Sequence, residues 1–331
     1  MTASDTMKAV VLEPSGRLAD AVLPRPVPGP RDLLVRVQAV SVNPVDTKQQ
    51  PGDAPRVLGW DVAGVVEAVG PECRLFRPGD EVYYAGDITR PGGFSEYHVV
   101  DERIVGRKPK RLSFAEAAAL PLTSLTAWEG MFERLGLDTD DNQGRPILII
   151  GAAGGVGSIA TQLARRAGLT VIGTASRPES RAWVLHHGAH HVIDHTKAFL
   201  PQLQALGFPA VDTIFCLNVV HPHWDAMMDA LAPLGKVCTI LPPFAPVDFR
   251  KLFDKSATWC TEAMFARPKH RFDMEAQHRI LTRLAEFVDK GEIRSTLREH
   301  FGLITAANLE KAFAQIQSGR TIGKLVLESF A

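Results

Sequence analysis

The spacing of apolar residues changes along the chain. From residue 7 to about 124 they fall in short alternating runs, at 33–40, 62–69 and 81–84, broken by Gly and Pro. A period of two turns one side of each run toward a core, so this stretch predicts a strand-rich, partly closed β domain. Residues 24–30 read as a stiff extended connector, and Pro78-Gly79-Asp80 marks a turn ahead of a strand. Beyond 124 the pattern becomes helical and apolar segments in alternation. Residues 125–135 predict a helix, and strands follow at 147–150, 169–174, 191–194, 211–217 and 236–241 with helical stretches between them. That order predicts a parallel, doubly wound α/β sheet. After 267 come an amphipathic helix at 271–290, with Ile280, Leu284 and Phe287 on one face, a second at 306–318 and a last strand at 324–327. The expected domains are therefore 1–124 with 268–331, and 125–267. No internal repeat or low-complexity tract interrupts them.

The most specific chemistry lies at the start of the second domain. Pro146-Ile-Leu-Ile-Ile-Gly-Ala-Ala-Gly-Gly-Val-Gly157 leads into a helical segment with Ile159, Leu163 and Ala167 on one face, and a second strand follows. Strand, glycine turn, helix and strand in that order form a dinucleotide-binding unit. Gly154 lets the backbone approach a pyrophosphate, Gly157 lets the helix pack closely on the strand, and Gly155 and Val156 complete the cradle. Ala152 occupies the first position of the usual Gly-x-Gly-x-x-Gly pattern. An NAD site usually carries Asp or Glu at the end of the second strand, whereas here the residues are Thr174-Ala-Ser-Arg177. Ser176 and Arg177 can donate to a 2′-phosphate, which predicts NADPH; the alternative is that Arg177 is a solvated loop residue. Leu217, Asn218, Ile240 and Leu241 end two predicted strands, where ligands bind in open α/β sheets.

Composition narrows the partners. Of the 331 residues, 45% are hydrophobic, enough for a large core. Lys plus Arg equals Asp plus Glu at 37 each, so no net field draws the chain to nucleic acid or membrane. The N-terminal residues carry no apolar signal core, and no run approaches the roughly 18 apolar residues of a membrane span. A cytoplasmic protein acting on a small molecule is expected. Cys73, Cys216, Cys238 and Cys260 are far apart and suit reduced, buried thiols. His186, His187, His190, His191 and His195 cluster, but Gly188 interrupts the helix that could align them, so they predict a solvated helix end.

Further segments carry a resemblance. Ser41-Val-Asn-Pro-Val-Asp46, Leu58-Gly-Trp-Asp-Val-Ala-Gly64, Phe76-Arg-Pro-Gly-Asp-Glu-Val82, Gly93-Phe-Ser-Glu-Tyr97, residues 118–126 and residues 152–157 make the whole chain resemble the medium-chain dehydrogenase/reductase superfamily. They resemble its zinc-independent quinone oxidoreductase branch, near members labelled zinc-type alcohol dehydrogenase-like. The resemblance implies a GroES-like β domain, a Rossmann domain and a homodimer. It also implies that Thr126 meets the nicotinamide half of the cofactor, that Met264 and Phe265 border the nicotinamide, with a strand at a dimer seam the alternative for these two, and that Gly323 and Lys324 lie on a returning loop that closes over the cofactor. In zinc-dependent relatives the first two ligands stand where this chain has Asn43 and Trp60, neither a competent substitute, and the four-cysteine lobe has no counterpart at 85–110.

Without a metal to polarise an oxygen, hydride has to go to an acceptor that is already electron-poor, a quinone or an alkene conjugated to a carbonyl. Asn43, Asp46 and Trp60 are the candidate catalytic residues: an amide to orient substrate or cofactor, a carboxylate to hold a water or the ribose, and an apolar wall. Loop capping or core packing is the alternative for each. Tyr84 is a candidate proton donor, or else, like Tyr83, a strand residue with its hydroxyl in water. Two other functions stay open: an NADPH-binding sensor or structural protein with little turnover, and a zinc alcohol dehydrogenase, against which Asn43 and Trp60 argue.

Overall fold

The computed structural model describes residues 5–137 and 142–330. The chain divides into two compact units, Met1–Leu125 with Phe265–Ala331, and Thr126–Met264. The expected boundaries, after 124 and 267, lie one and three residues from these.

The first unit carries strands β1 (Thr6–Leu12), β2 (Leu18–Pro24), β3 (Asp32–Val42), β4 (Arg56–Val57), β5 (Val62–Val69), β6 (Glu81–Tyr84), β7 (Tyr97–Asp101) and β8 (Gly106–Arg107), followed by the short helix α1 (Phe114–Ala118). Helix α2 (Pro121–Trp128) leads into the second unit. It opens on a proline, whose fixed φ suits a first helical turn, and relaxes into a wider π-type turn over Glu129–Arg134. The helix expected at 125–135 thus starts four residues earlier, at Pro121, and its second half is π-helical.

The second unit contains β9 (Pro146–Ile150), α3 (Gly155–Arg166), β10 (Thr170–Thr174), α4 (Pro178–His186), β11 (His191–Ile193), α5 (Phe199–Ala205), β12 (Val211–Cys216), α6 (Trp224–Ala230), β13 (Leu231–Thr239), α7 (Arg250–Asp254) and β14 (Thr258–Thr261). All pairings are parallel, in the order β11-β10-β9-β12-β13-β14. Strand order reverses between β9 and β12, the switch point of a doubly wound sheet. β13 begins before the expected 236: its pairing with β12 moves from Val211–Leu231 to Thr213–Lys236, so the extra residues form a bulge in which Leu234 has φ of 62°. β14 escaped the sequence reading: Thr-Trp-Cys-Thr is a short, partly exposed edge strand without an apolar run.

The return segment adds α8 (Ala266–His270), α9 (Glu275–Asp289), β15 (Leu297–His300), α10 (Ala306–Gln317) and β16 (Lys324–Glu328) to the first unit. α9 starts later than 271 because Arg271 and Asp273 adopt positive φ, 51° and 42°, which ends one helix and delays the next. β16 pairs with residues 39–42 of β3, in a sheet ordered β15-β16-β3-β5-β6-β8 with β7 also on β3; β2-β1-β4 form a second sheet. The end of β3 is consequently buried on both faces, and the alternation expected there is lost. Within β5, Gly64 is required by close approach: an added Cβ would lie 2.4 Å from the Arg36 carbonyl oxygen. Among the described residues no helix is long and apolar enough to cross a membrane.

Candidate active and cofactor sites

The glycine turn between β9 and α3 is built by backbone constraints. Gly151 has φ of 82°, and its N–H donates to Thr174 Oγ1 at 3.1 Å, fastening the turn to the end of β10. A Cβ at Gly157 would lie 2.3 Å from the Gly151 carbonyl oxygen and 2.5 Å from the Ala152 Cα, so this glycine serves helix packing. At Gly154 the nearest atom would be 3.5 Å away, an ordinary contact. Gly154 caps α3, leaving the N–H groups of Gly155, Val156 and Gly157 without intrahelical acceptors. The buried Ser158 hydroxyl donates to Gly154 O at 2.7 Å and accepts the Trp183 indole N–H at 2.8 Å, which holds the first turn in place.

Ser176 is exposed and Arg177 half-buried, at the start of α4 just beyond β10. Leu217 and Asn218 follow β12, and the open side of Gly151 faces both, at 3.6 and 3.7 Å from the position of an added Cβ. Leu241 lies two residues beyond the end of β13, and Thr126 is buried in α2. The α3 N-terminus, the open Gly154 and the Ser176–Arg177 pair fit an anionic dinucleotide.

In the first unit the end of β3, the start of β5 and the start of β16 bring four polar side chains together in the core. Asp61 is fully buried. Its Oδ2 accepts from Ser41 Oγ and Asn43 Nδ2, both at 2.8 Å, and from Lys324 Nζ at 3.1 Å; its Oδ1 accepts from the Leu122 amide at 2.8 Å. Lys324 Nζ also donates to Val42 O at 2.9 Å and to Asn43 Oδ1. Both ends of the Asn43 amide are therefore committed to Asp61 and Lys324, and the residue positions these charges instead of presenting a free amide as expected. Lys324, anticipated on a loop over the cofactor, opens β16 with its ammonium turned into this network; Gly323 precedes it, also buried.

Asp46 completes the cluster. Its Oδ2 accepts the Asn43 N–H at 2.6 Å while its own N–H donates to Asn43 O at 3.0 Å, a reciprocal turn. Among the described residues Oδ1, which is buried, has no hydrogen-bond partner. Burial raises the carboxyl to about 7; the Asn43 amide and the Lys324 charge oppose the rise, and the Asp61 charge adds to it. The carboxyl thus changes protonation near neutrality.

Trp60 is fully buried, its Nε1–H donating to Asp87 O at 3.2 Å and its ring meeting Phe265 edge-on at 6.3 Å. Phe265 lies in the turn before α8, with Met264 buried beside it, so neither residue forms a strand at a seam. Tyr84 does not join the Asp46 cluster: its hydroxyl bonds His98 Nδ1 at 3.0 Å, and the two rings stack. Burial lowers His98 to about 4, and Nε2–H donates to Pro91 O, so Nδ1 accepts the Tyr84 proton. Burial also raises the Tyr84 phenol well above its usual range. Neither it nor Tyr83, whose hydroxyl donates to Leu281 O at 2.6 Å, has its hydroxyl in water.

Asp61 escaped the sequence reading. The available signal was a carboxylate inside the otherwise apolar segment Leu58-Gly-Trp-Asp-Val-Ala-Gly64. Among the described residues no three His, Cys, Asp or Glu side chains group to hold a metal ion. Asn43 offers a committed amide and Trp60 an indole, so the donor set does not fit a catalytic zinc. The histidines take separate partners: His187 is buried rather than solvated, its Nδ1 2.9 Å from Trp183 O and its ring edge-on to His186, while His190 Nδ1 accepts from Val171 N, His191 meets Phe208 edge-on, and His195 pairs with His223.

Residues 29–110 match the alcohol dehydrogenase GroES-like domain family, and residues 187–327 the zinc-binding dehydrogenase family. The chain is 42% identical to a zinc-type alcohol dehydrogenase-like protein of Staphylococcus aureus over 309 residues, 92% of each chain. It is 31% identical to a quinone oxidoreductase of Pseudomonas aeruginosa, over 91% of this chain and 92% of the relative. Among solved structures, a candidate zinc-dependent alcohol dehydrogenase from Rhizobium etli CFN 42 aligns with a TM-score of 0.94 at 48% identity, covering 99% of both chains.

Proposed function

We propose that this chain, which belongs to the medium-chain dehydrogenase/reductase superfamily, is an NADPH-dependent, metal-independent reductase of quinones or α,β-unsaturated carbonyl compounds. The observation that carries the reading is Asn43, which stands where the first zinc ligand is implied and whose amide is committed to Asp61 and Lys324, with the Trp60 indole at the second position. Lacking a Lewis acid there, the protein requires an acceptor whose own conjugation receives the charge. When bound, NADPH supplies the hydride.

The chain's residues do the rest. The N–H groups of Gly155, Val156 and Gly157 at the start of α3 hold the pyrophosphate, and Ser176 with Arg177 holds the 2′-phosphate. Leu217, Asn218, Leu241 and Thr126 shape the cofactor's remaining surroundings. Asp46 holds a proton at Oδ1 near neutral pH, and Lys324 and Asp61 fix the charge beside it. The partner is a small electrophile. The same reading includes a homodimer, which sedimentation would register as twice the chain mass of 36.1 kDa.

The test is steady-state turnover with NADPH against an ortho-quinone, a 2-alkenal and, in reverse with NADP⁺, a primary alcohol. Reduction of either electrophile without alcohol oxidation supports the reading. Alcohol oxidation alone, or NADPH binding without turnover of any acceptor, overturns it.

A further inference from the structure

Cys238 and Cys260, distant in sequence, are direct partners in the parallel ladder between β13 and β14. Adjacent strands lie about 4.8 Å apart, and a disulfide spans Cα separations of about 4.4–6.8 Å, so the ladder brings the two residues within bridging distance. Residues paired across a ladder point to the same face of the sheet. β14 is the terminal strand of its sheet. Cys238 is fully buried, while Cys260 is partly exposed with Sγ 3.4 Å from Val237 O, so an oxidant reaches Cys260 first.

We propose that Cys238 and Cys260 form a reversible dithiol–disulfide pair, oxidised by a peroxide, that ties the edge strand β14 to β13. The Cys260 thiolate attacks one peroxide oxygen, the O–O bond breaks, and the departing hydroxide takes a proton to become water. The Cys238 thiol then attacks the resulting Cys260 sulfenic acid; the S–S bond forms, the S–O bond breaks, and a second water leaves. The pair loses two electrons and two protons, and the peroxide gains them.

The local charges support this order of events. Hydrogen bonding with Cys238, then the positive charges of Arg134 and Lys236, hold the Cys260 thiol below its usual range, against its burial. Arg134 is anchored to Glu262 at 3.1 Å, and Lys236 to Leu135 O at 3.1 Å, so both cations are fixed. Hydrogen bonding with Cys260 and burial push the Cys238 thiol up. Cys73, the other partly exposed thiol, is raised by burial and by the charges of Glu102, Asp32 and Asp101. Cys216 is raised to about 11 by burial.

The test treats the full chain with hydrogen peroxide, alkylates remaining thiols in denaturant and maps peptides without reduction. The expected product is an intramolecular peptide linking Cys238 to Cys260, with Cys73 and Cys216 still alkylatable, and dithiothreitol restores all four free cysteines. With Cys238→Ser, oxidation stops at a Cys260 sulfenic acid that dimedone traps; with Cys260→Ser, Cys238 stays reduced at the same peroxide dose. Four alkylatable cysteines after treatment, a bridge between two copies of the chain, or pairing that involves Cys73 or Cys216 overturns the proposal. Because the wild-type map decides the main outcome, the result does not hinge on how well the serine variants fold.

Discussion

Asp46 shows how one residue's environment sets its chemistry. A carboxyl whose folded pKa lies above its unfolded one stabilises the fold fully only below the unfolded value, here near 3.8, and that contribution is lost as pH rises through about 7. The rise corresponds to a difference on the order of 4 kcal/mol. Asp46→Asn keeps an acceptor for the Asn43 N–H and removes the titration. The wild type is therefore expected to lose several kcal/mol of unfolding free energy relative to this variant between pH 4 and 7.5, as read by urea denaturation at each pH; a constant difference would contradict the assignment. Lys324→Met leaves the Asp61 charge buried without its cation and should cost about 3–5 kcal/mol. In the double variant with Asp61→Asn the loss should fall short of the sum of the single losses, the signature of a coupled pair in a denaturant double-mutant cycle. At this scale the sequence showed Asn43 and Asp46 as polar residues after a strand, but it could not show that Lys324 reaches them. That meeting depends on β16 pairing with the end of β3, a contact between residues nearly the whole chain apart.

Among elements, the glycine turn separates packing from binding. Gly157→Ala puts a methyl into the backbone at 2.3 Å and should destabilise the second unit by about 1–3 kcal/mol, visible as a lower thermal midpoint. Gly154→Ala meets only an ordinary contact at 3.5 Å, so the fold should survive while NADPH affinity, read by fluorescence titration, weakens. Equal losses of stability in the two variants would refute this division. At the end of β10, Arg177→Ser should reduce NADPH affinity about 10- to 100-fold, the value of a charge-assisted hydrogen bond, and leave NADH affinity nearly unchanged. The βαβ unit was legible because strand, turn and helix are local and each has its own period. Other boundaries were not: the delayed start of α9 depends on positive φ at two non-glycine residues, and β14 has no apolar run. The Cys238–Cys260 pairing was hidden for the same reason, since a sequence reading without β14 leaves the two cysteines apart.

Across the whole molecule, the zinc named in some relatives' descriptions meets a chain whose own residues at the corresponding positions are an amide and an indole. Equal numbers of acidic and basic residues leave no net field, so the proposed recognition rests on local sites: the helix start and the Ser176–Arg177 pair in the second unit and the buried Asp46 cluster in the first. The family was legible because its motifs, from Ser41 to Gly157, are local runs of strand and turn residues; the residue roles required three-dimensional partners. The most direct test of the account is NADPH oxidation by protein stripped with a chelator and verified free of zinc, with an ortho-quinone or a 2-alkenal as acceptor. Turnover equal to that of untreated protein, and faster with NADPH than with NADH, is the predicted result; activity that disappears with the metal and returns on adding zinc would contradict it.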